Sequence, residues 1–280
     1  MQQSHRLKNY DLSQEQIALF AYNNLMLFSH TTFIGVDPTG RPRSMVYAAI
    51  NRNLDLICLC TGSLEEINAF IGGQERAMIA ICGPVRPNQG LMKREHIRQS
   101  LDPVPRPGRW TGFRVVEYQL SQHNIRMPRT NAETQNCPGW MQTSFELYQQ
   151  CSQFGYQDYP SPDSSLQMLE AYPYATYAAI LGCLPFKKNG FEGRMQRQLA
   201  LYRIGLNIPD PMRIFEEITR HRFMTGVLPF EGLYTTSELD ALGAAYTAWC
   251  AAIQPDQVTL LGNPEEGQIV VPVAELKSKY

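Results

Sequence analysis

Three β-type runs follow one another with almost no chain between them, at residues 31–36, 45–51 and 54–60. Each is rich in β-branched or other apolar residues, and turn residues stand at each break. Connections this short make the three strands antiparallel neighbours, because a parallel partner needs a crossover of a dozen or more residues. A crossover comes next. Ser63 with Glu66 three residues on reads as a capping box, and Gly72-Gly73 ends the helix it starts. The run RAMIAICGP then reads as a buried strand that ends at Cys82 and is stopped by Gly83-Pro84. A buried strand reached through a helix lies parallel to a neighbour.

Residues 84–140 form a basic, Pro- and Arg-rich insertion, with Arg86, Lys93, Arg94, Arg98, Arg106, Arg109 and Arg114 concentrated in it. A loop-rich stretch of that length in a compact chain points to function or disorder. Helices are expected near 113–124 and over 141–154, a strand up to Ala171, and a turn at Pro173 that opens another helix. Further helices follow at 193–206 and 212–228, the second ending at Gly226. The Ala-rich helix over 235–253 is capped by Thr236 or Ser237, and 266–273 forms a terminal strand. Three antiparallel strands followed by βα units predict an α/β mixed sheet with helices on both faces.

The chain has 280 residues, 44% of them hydrophobic and 18% charged, which suits a folded domain with a real core. The net charge of −1 means that a nucleic-acid partner would have to be met by a local basic patch. Seven cysteines stand without a C-x-x-C pair, three of them (Cys58, Cys60 and Cys82) inside apolar runs. Reduced thiols and a cytoplasmic setting are expected, with no structural zinc site. Residues 1–30 read as a leader whose partly amphipathic helix, through Ile17, Phe20, Leu25 and Phe28, is expected to pack on the domain, and they lack the apolar core of a signal peptide. No apolar run reaches the roughly 20 residues needed to span a bilayer, so no membrane partner is expected.

Three carboxylates stand near the ends of apolar elements: Asp37 after the first strand, Glu170 in QMLEAYP, and Asp240 early in the Ala-rich helix. A carboxylate among apolar residues is costly to bury unless it is paired or holds a metal. Grouped carboxylates suit Mg2+ or Mn2+. Each also has a plain alternative. Asp37 opens Asp-Pro-Thr-Gly, a favoured turn sequence. Glu170 can pair with an arginine, and Asp240 can serve the helix dipole. No phosphate-binding loop and no nucleophile elbow is present. His96, His123 and His221 are isolated, and Cys82 has no histidine near it in sequence.

In order, FIGVDPTG, MIAICGPVRPNQG, QMLEAYPYATYAAILG, GRMQRQLALYR, SELDALGAAYTA and GQIVVP resemble the domain-of-unknown-function family 429, whose members are described as predicted RNase H-like nucleases. The likeness spans about residues 31–273. GVDPTG also resembles the first motif of Holliday-junction resolvases of that superfamily. The resemblance implies an RNase H-like mixed five-stranded sheet. It maps the opening Asp to Asp37, the Glu of a Glu-x-x-Pro motif to Glu170, the Asp of an Asp-Ala helix motif to Asp240, and an Arg-rich helix to Arg194 and Arg197. At one point the chain departs from the family: Cys82 stands where a further Asp is usual, and a neutral thiol is a poor Mg2+ ligand.

The expectation is therefore a divalent-metal-dependent nuclease. Asp37, Glu170 and Asp240 would be its catalytic residues and hold Mg2+ or Mn2+, while Arg86, Lys93, Arg94, Arg194 and Arg197 would hold a nucleic-acid backbone. Cys82 keeps an alternative open, a catalytically inactive RNase H-like relative that binds nucleic acid or a protein partner.

Overall fold

A computed structural model describes residues 31–38, 44–106, 108–227 and 229–280. The expected leader helix in residues 1–30 and the tip of the Asp-Pro-Thr-Gly turn lie outside the described residues. The strands are β1 (Thr32–Asp37), β2 (Met45–Ile50), β3 (Leu56–Gly62), β4 (Ala77–Ile81), β5 (Gln157–Asp158), β6 (Leu166–Ala171), β7 (Thr259–Asn263) and β8 (Gly267–Val271). The helices are α1 (Leu64–Gly72), α2 (Glu95–Gln99), α3 (Val115–Gln122), α4 (Gly139–Gln153), α5 (Pro173–Leu181), α6 (Phe191–Arg203), α7 (Arg213–Glu217), α8 (Arg220–Met224) and α9 (Thr236–Ile253).

Among the described residues the strands form one sheet in the order β3-β2-β1-β4-β6-β8-β7, with β5 paired to the start of β6. β1, β2 and β3 are antiparallel, as their short connections require. β4 runs parallel to β1 after the α1 crossover, β6 parallel to β4, and β8 parallel to β6. The mixed α/β class is as expected. The sheet is wider than the five strands expected, because β8 adds beyond β6 and folds back on β7 as an antiparallel hairpin. β7 is half-exposed, so its residues lack the continuous apolar run that marks a buried strand.

Helices cover both faces. On one, Phe33, Ala48, Met78, Ala80, Leu169 and Ala171 pack with residues of α9, α5 and α6. On the other, Ile34, Val36, Ile79, Ile81 and Met168 meet Ile67 and Ile71 of α1 and Leu147 and Cys151 of α4. Helix and sheet backbones meet closely at Gly35, where a Cβ would lie 2.0 Å from the Ala241 carbonyl oxygen and 2.3 Å from the Ala245 nitrogen. Only a hydrogen at that position lets the α9 backbone rest on β1.

Two local expectations change. The single helix over 212–228 is two short ones, α7 and α8, separated by an extended Ile218. Phe215, Phe223 and Met224 are exposed, so no buried stripe runs through to join them. The cap of α9 is Thr235 rather than Thr236 or Ser237: its hydroxyl accepts from the Glu238 amide, and the Glu238 carboxylate accepts from the Thr235 amide. No helix among the described residues is long and apolar enough to cross a membrane.

Candidate functional site

The carboxyl ends of the parallel strands carry the chemistry, as is usual for open α/β sheets. β1 ends at Asp37. The Cys82 amide, just past β4, donates to the Val36 carbonyl at 2.8 Å, which sets Cys82 beside that end. Alternation along β1 turns Phe33, Gly35 and Asp37 toward α9, and Asp240 sits in the second turn of that helix. Side chains of α5 hold α9 in place: the Tyr177 hydroxyl donates to the Leu239 carbonyl at 2.7 Å, and Thr176 and Thr247 share a 3.0 Å bond. The Cys82 thiol donates to the Asp240 carbonyl at 3.5 Å.

Lys188 completes the group. Its Nζ donates to Asp240 Oδ2 at 2.7 Å, with the lysine half-exposed and the carboxylate buried. The loop that carries it is fixed from below. A Cβ on Gly193 would lie 1.9 Å from the Lys187 carbonyl oxygen, so the loop rests directly on the first turn of α6. Arg197 donates to the Phe186 and Gly193 carbonyls at 2.9 Å each and lies over the Tyr177 ring.

These groups open onto a cavity of about 220 Å³ whose walls include Trp140, Tyr172, Tyr174, Met127 and Pro128. Trp140 reaches it from the start of α4, which is pinned to the exit of β4 by the Ser144 hydroxyl on the Pro84 carbonyl at 2.8 Å. Burial pushes the Asp240 carboxyl up to about 6; Lys188 pulls it down and Asp37 pushes it further up. Burial works against the Lys188 ammonium, but the Asp240 and Asp37 carboxylates outweigh it and raise it above its ordinary value. Burial, then the charges of Asp37 and Asp240, hold Cys82 as a neutral thiol. The pocket is an apolar, aromatic box with two carboxylates and one ammonium at its polar end.

Glu170 is not brought to this pocket. Its register partner Ile81 belongs to the opposite face, and Glu170 points there with Met168. It forms a bidentate pair with Arg114, 2.7 Å for each bond, with both side chains buried. Arg114 therefore belongs to the core rather than to a substrate surface. It also donates to the Glu266 and Gly267 carbonyls at 3.1 and 3.3 Å. The Glu266 carboxylate accepts from the Gln89 and Val115 amides, and Glu117 from those of Thr130 and Arg114. One guanidinium thus ties the basic insertion to β6 and to the β7–β8 turn.

The cations expected to hold substrate are placed apart. Arg194 donates to the Leu233 and Tyr234 carbonyls at 2.8 Å each, a structural use. Arg197 is buried at the pocket wall and positions the Lys188 loop. Arg94 pairs with Glu265 at 2.8 Å, and Arg86 faces Asp158 at 3.8 Å over a second cavity of about 260 Å³ that includes Glu170. Lys93 is exposed. Lys188 and Trp140 went unmarked in the sequence; the run Lys-Lys-Asn-Gly after CLPF was the one cue to a basic turn.

The donor set does not fit a Mg2+ or Mn2+ pair. Two carboxylates share the pocket, one is already neutralised by an ammonium, the neighbouring thiol is neutral, and the third carboxylate lies across the sheet. Among the described residues no group of three or more His, Cys, Asp or Glu is placed to hold a metal ion. Comparison of the chain with protein-family models, with curated proteins and with solved structures finds no match.

Proposed function

We propose that this chain is a catalytically inactive RNase H-like protein that binds single-stranded nucleic acid, its former metal site turned into a pocket for an unpaired base. The strand order β3-β2-β1-β4-β6, with β2 alone antiparallel to both of its neighbours, supports the fold assignment. The order of sequence motifs supports it independently. The observation that carries the functional reading is the 2.7 Å bond from Lys188 to Asp240. An ammonium there supplies the positive charge that a divalent ion would otherwise bring, and repels such an ion. Trp140, Tyr172 and Tyr174 offer stacking faces, worth about 1–3 kcal/mol per base. Asp37 and Asp240 accept from the N–H groups of a base edge. Lys188 lines the pocket, and Lys187 next to it is exposed, so both can meet a phosphate.

The test is a pair of assays on the purified full chain. Fluorescence anisotropy with a labelled single-stranded oligonucleotide is expected to give saturable binding that weakens with salt and drops in Trp140→Ala. Nuclease assays with Mg2+ or Mn2+ on single-stranded, duplex and branched substrates are expected to show no cleavage. A second reading, the active nuclease, draws on Asp37 and Asp240 meeting in one pocket. Metal-dependent cleavage that disappears in Asp37→Asn would establish that reading and overturn the first.

A further inference from the structure

The edge of the sheet farthest from the β7–β8 hairpin carries a second chemistry. Cys58 and Cys60 are two residues apart on β3, so strand alternation puts both thiols on one side. Among the described residues β3 is the terminal strand, with β2 on one flank and no strand on the other. Cys58 is half-buried against the α1–α4 side of the core, and Cys60 is exposed. The register sets Tyr47 opposite Cys60 and Ala49 opposite Cys58. Tyr47 packs on Phe70 of α1 with ring centres 5.2 Å apart, which closes one wall beside the pair. Burial, followed by the Cys60 thiol beside it, pushes Cys58 up to about 11, while a hydrogen bond with the Ala49 backbone opposes this. The remaining cysteines offer no such pair: Cys82, Cys137, Cys151 and Cys250 are buried and Cys183 is exposed.

We propose that Cys58 and Cys60 form a two-thiol site for a monovalent thiophilic cation of the copper(I) class. Soft thiolates select such an ion, and two donors on one side of a strand suit a two-coordinate one. Zinc would need four ligands, and the described residues offer no third His, Cys, Asp or Glu there. A disulfide is the competing fate of two neighbouring thiols. Strand geometry separates the two Cα atoms by about 6.6 Å, at the upper limit for a disulfide, and makes the two Cβ vectors parallel. Bridging by an ion between the sulfurs leaves the strand as it is. On binding, each thiol releases its proton to water and two Cu–S bonds form, leaving one net negative charge at the site. No redox change occurs. The site lies apart from the Asp37 pocket and does not depend on the nucleic-acid reading.

The test is anaerobic titration of the reduced full chain with copper(I) against a chromophoric chelator, with free thiols counted beforehand. Uptake of one equivalent is expected in the wild type and in Cys183→Ser, and none in Cys58→Ser or Cys60→Ser. Phenylarsine oxide gives a second readout. One molecule is expected to consume two thiols, forming two As–S bonds and releasing its oxygen as water, in the wild type but not in Cys60→Ser. Cys60 is exposed, so its serine variant is expected to unfold at the wild-type temperature. Unchanged copper uptake in Cys60→Ser, or no uptake by the fully reduced wild type, would overturn the proposal.

Discussion

Above pH about 6 the Asp240 carboxylate is charged beside the Lys188 ammonium, and below it the carboxyl becomes neutral. Its ordinary value is 3.8, so the folded state holds the proton more tightly than the unfolded chain does. The stability this provides is fully present below pH about 4 and is lost as the pH rises through about 6, at up to about 1.4 kcal/mol per pH unit. Asp240→Asn removes that dependence. Urea unfolding at pH 4.5, 6 and 7.5 is expected to show the variant gaining on the wild type as pH rises; parallel curves would refute the assignment. Lys188→Ala takes away the ammonium bonded to Asp240 and leaves the buried Arg197 guanidinium as the cation of the pocket wall. Calorimetric titration is expected to show Mn2+ binding at least tenfold tighter in Lys188→Ala than in the wild type. No gain would mean that the lysine is not what keeps the ion away. Neither effect was legible in the sequence, because Lys188 sits in a loop, where no periodicity reports which way a side chain points.

Elements depend on how closely α9 lies on β1. In Gly35→Ala the new methyl meets helix backbone rather than a movable side chain, so α9 has to lift. A loss of about 3 kcal/mol or more is expected, at the upper end for an overpacked core, read as a fall in unfolding midpoint or in soluble yield. Thr235→Ala removes the hydroxyl that caps α9 and is expected to cost about 1 kcal/mol. The elements were readable wherever a short-range rule applied. Brief connections announced the β1–β2–β3 meander, and the Ser63–Glu66 box announced α1. What escaped were elements defined by partners far along the chain. β7 is a strand because β8 pairs with it, and α7 and α8 separate because nothing buried runs between them. The side of the sheet that Glu170 takes was also hidden. Both faces of β6 are buried, so apolar alternation carries no sign of direction.

At the scale of the whole molecule, the Arg114 cluster joins parts of the chain far apart in sequence. Glu170, Glu117 and Glu266 lie around one guanidinium, and burial pushes Glu117 up to about 7. Its stabilising contribution is therefore present below pH about 4.5 and is lost as the pH rises through about 7. Arg114→Met would strand the buried carboxylates and is expected to cost about 3–5 kcal/mol at pH 8, with part of the loss recovered at pH 5; denaturant midpoints at the two values check both statements. An arginine partner for Glu170 was legible as one alternative, but which arginine was not, since the pair is 56 residues apart. The same cluster bears on synthesis of the chain. Arg114 and Glu170 emerge from a ribosome well before Glu266, with about 96 residues between the last two, which is roughly 5–20 s of translation. During that interval β6 has an open flank, and Arg114 lacks the two carbonyls that later receive it. The nascent protein is thus left with a half-closed charge centre until the β7–β8 hairpin arrives.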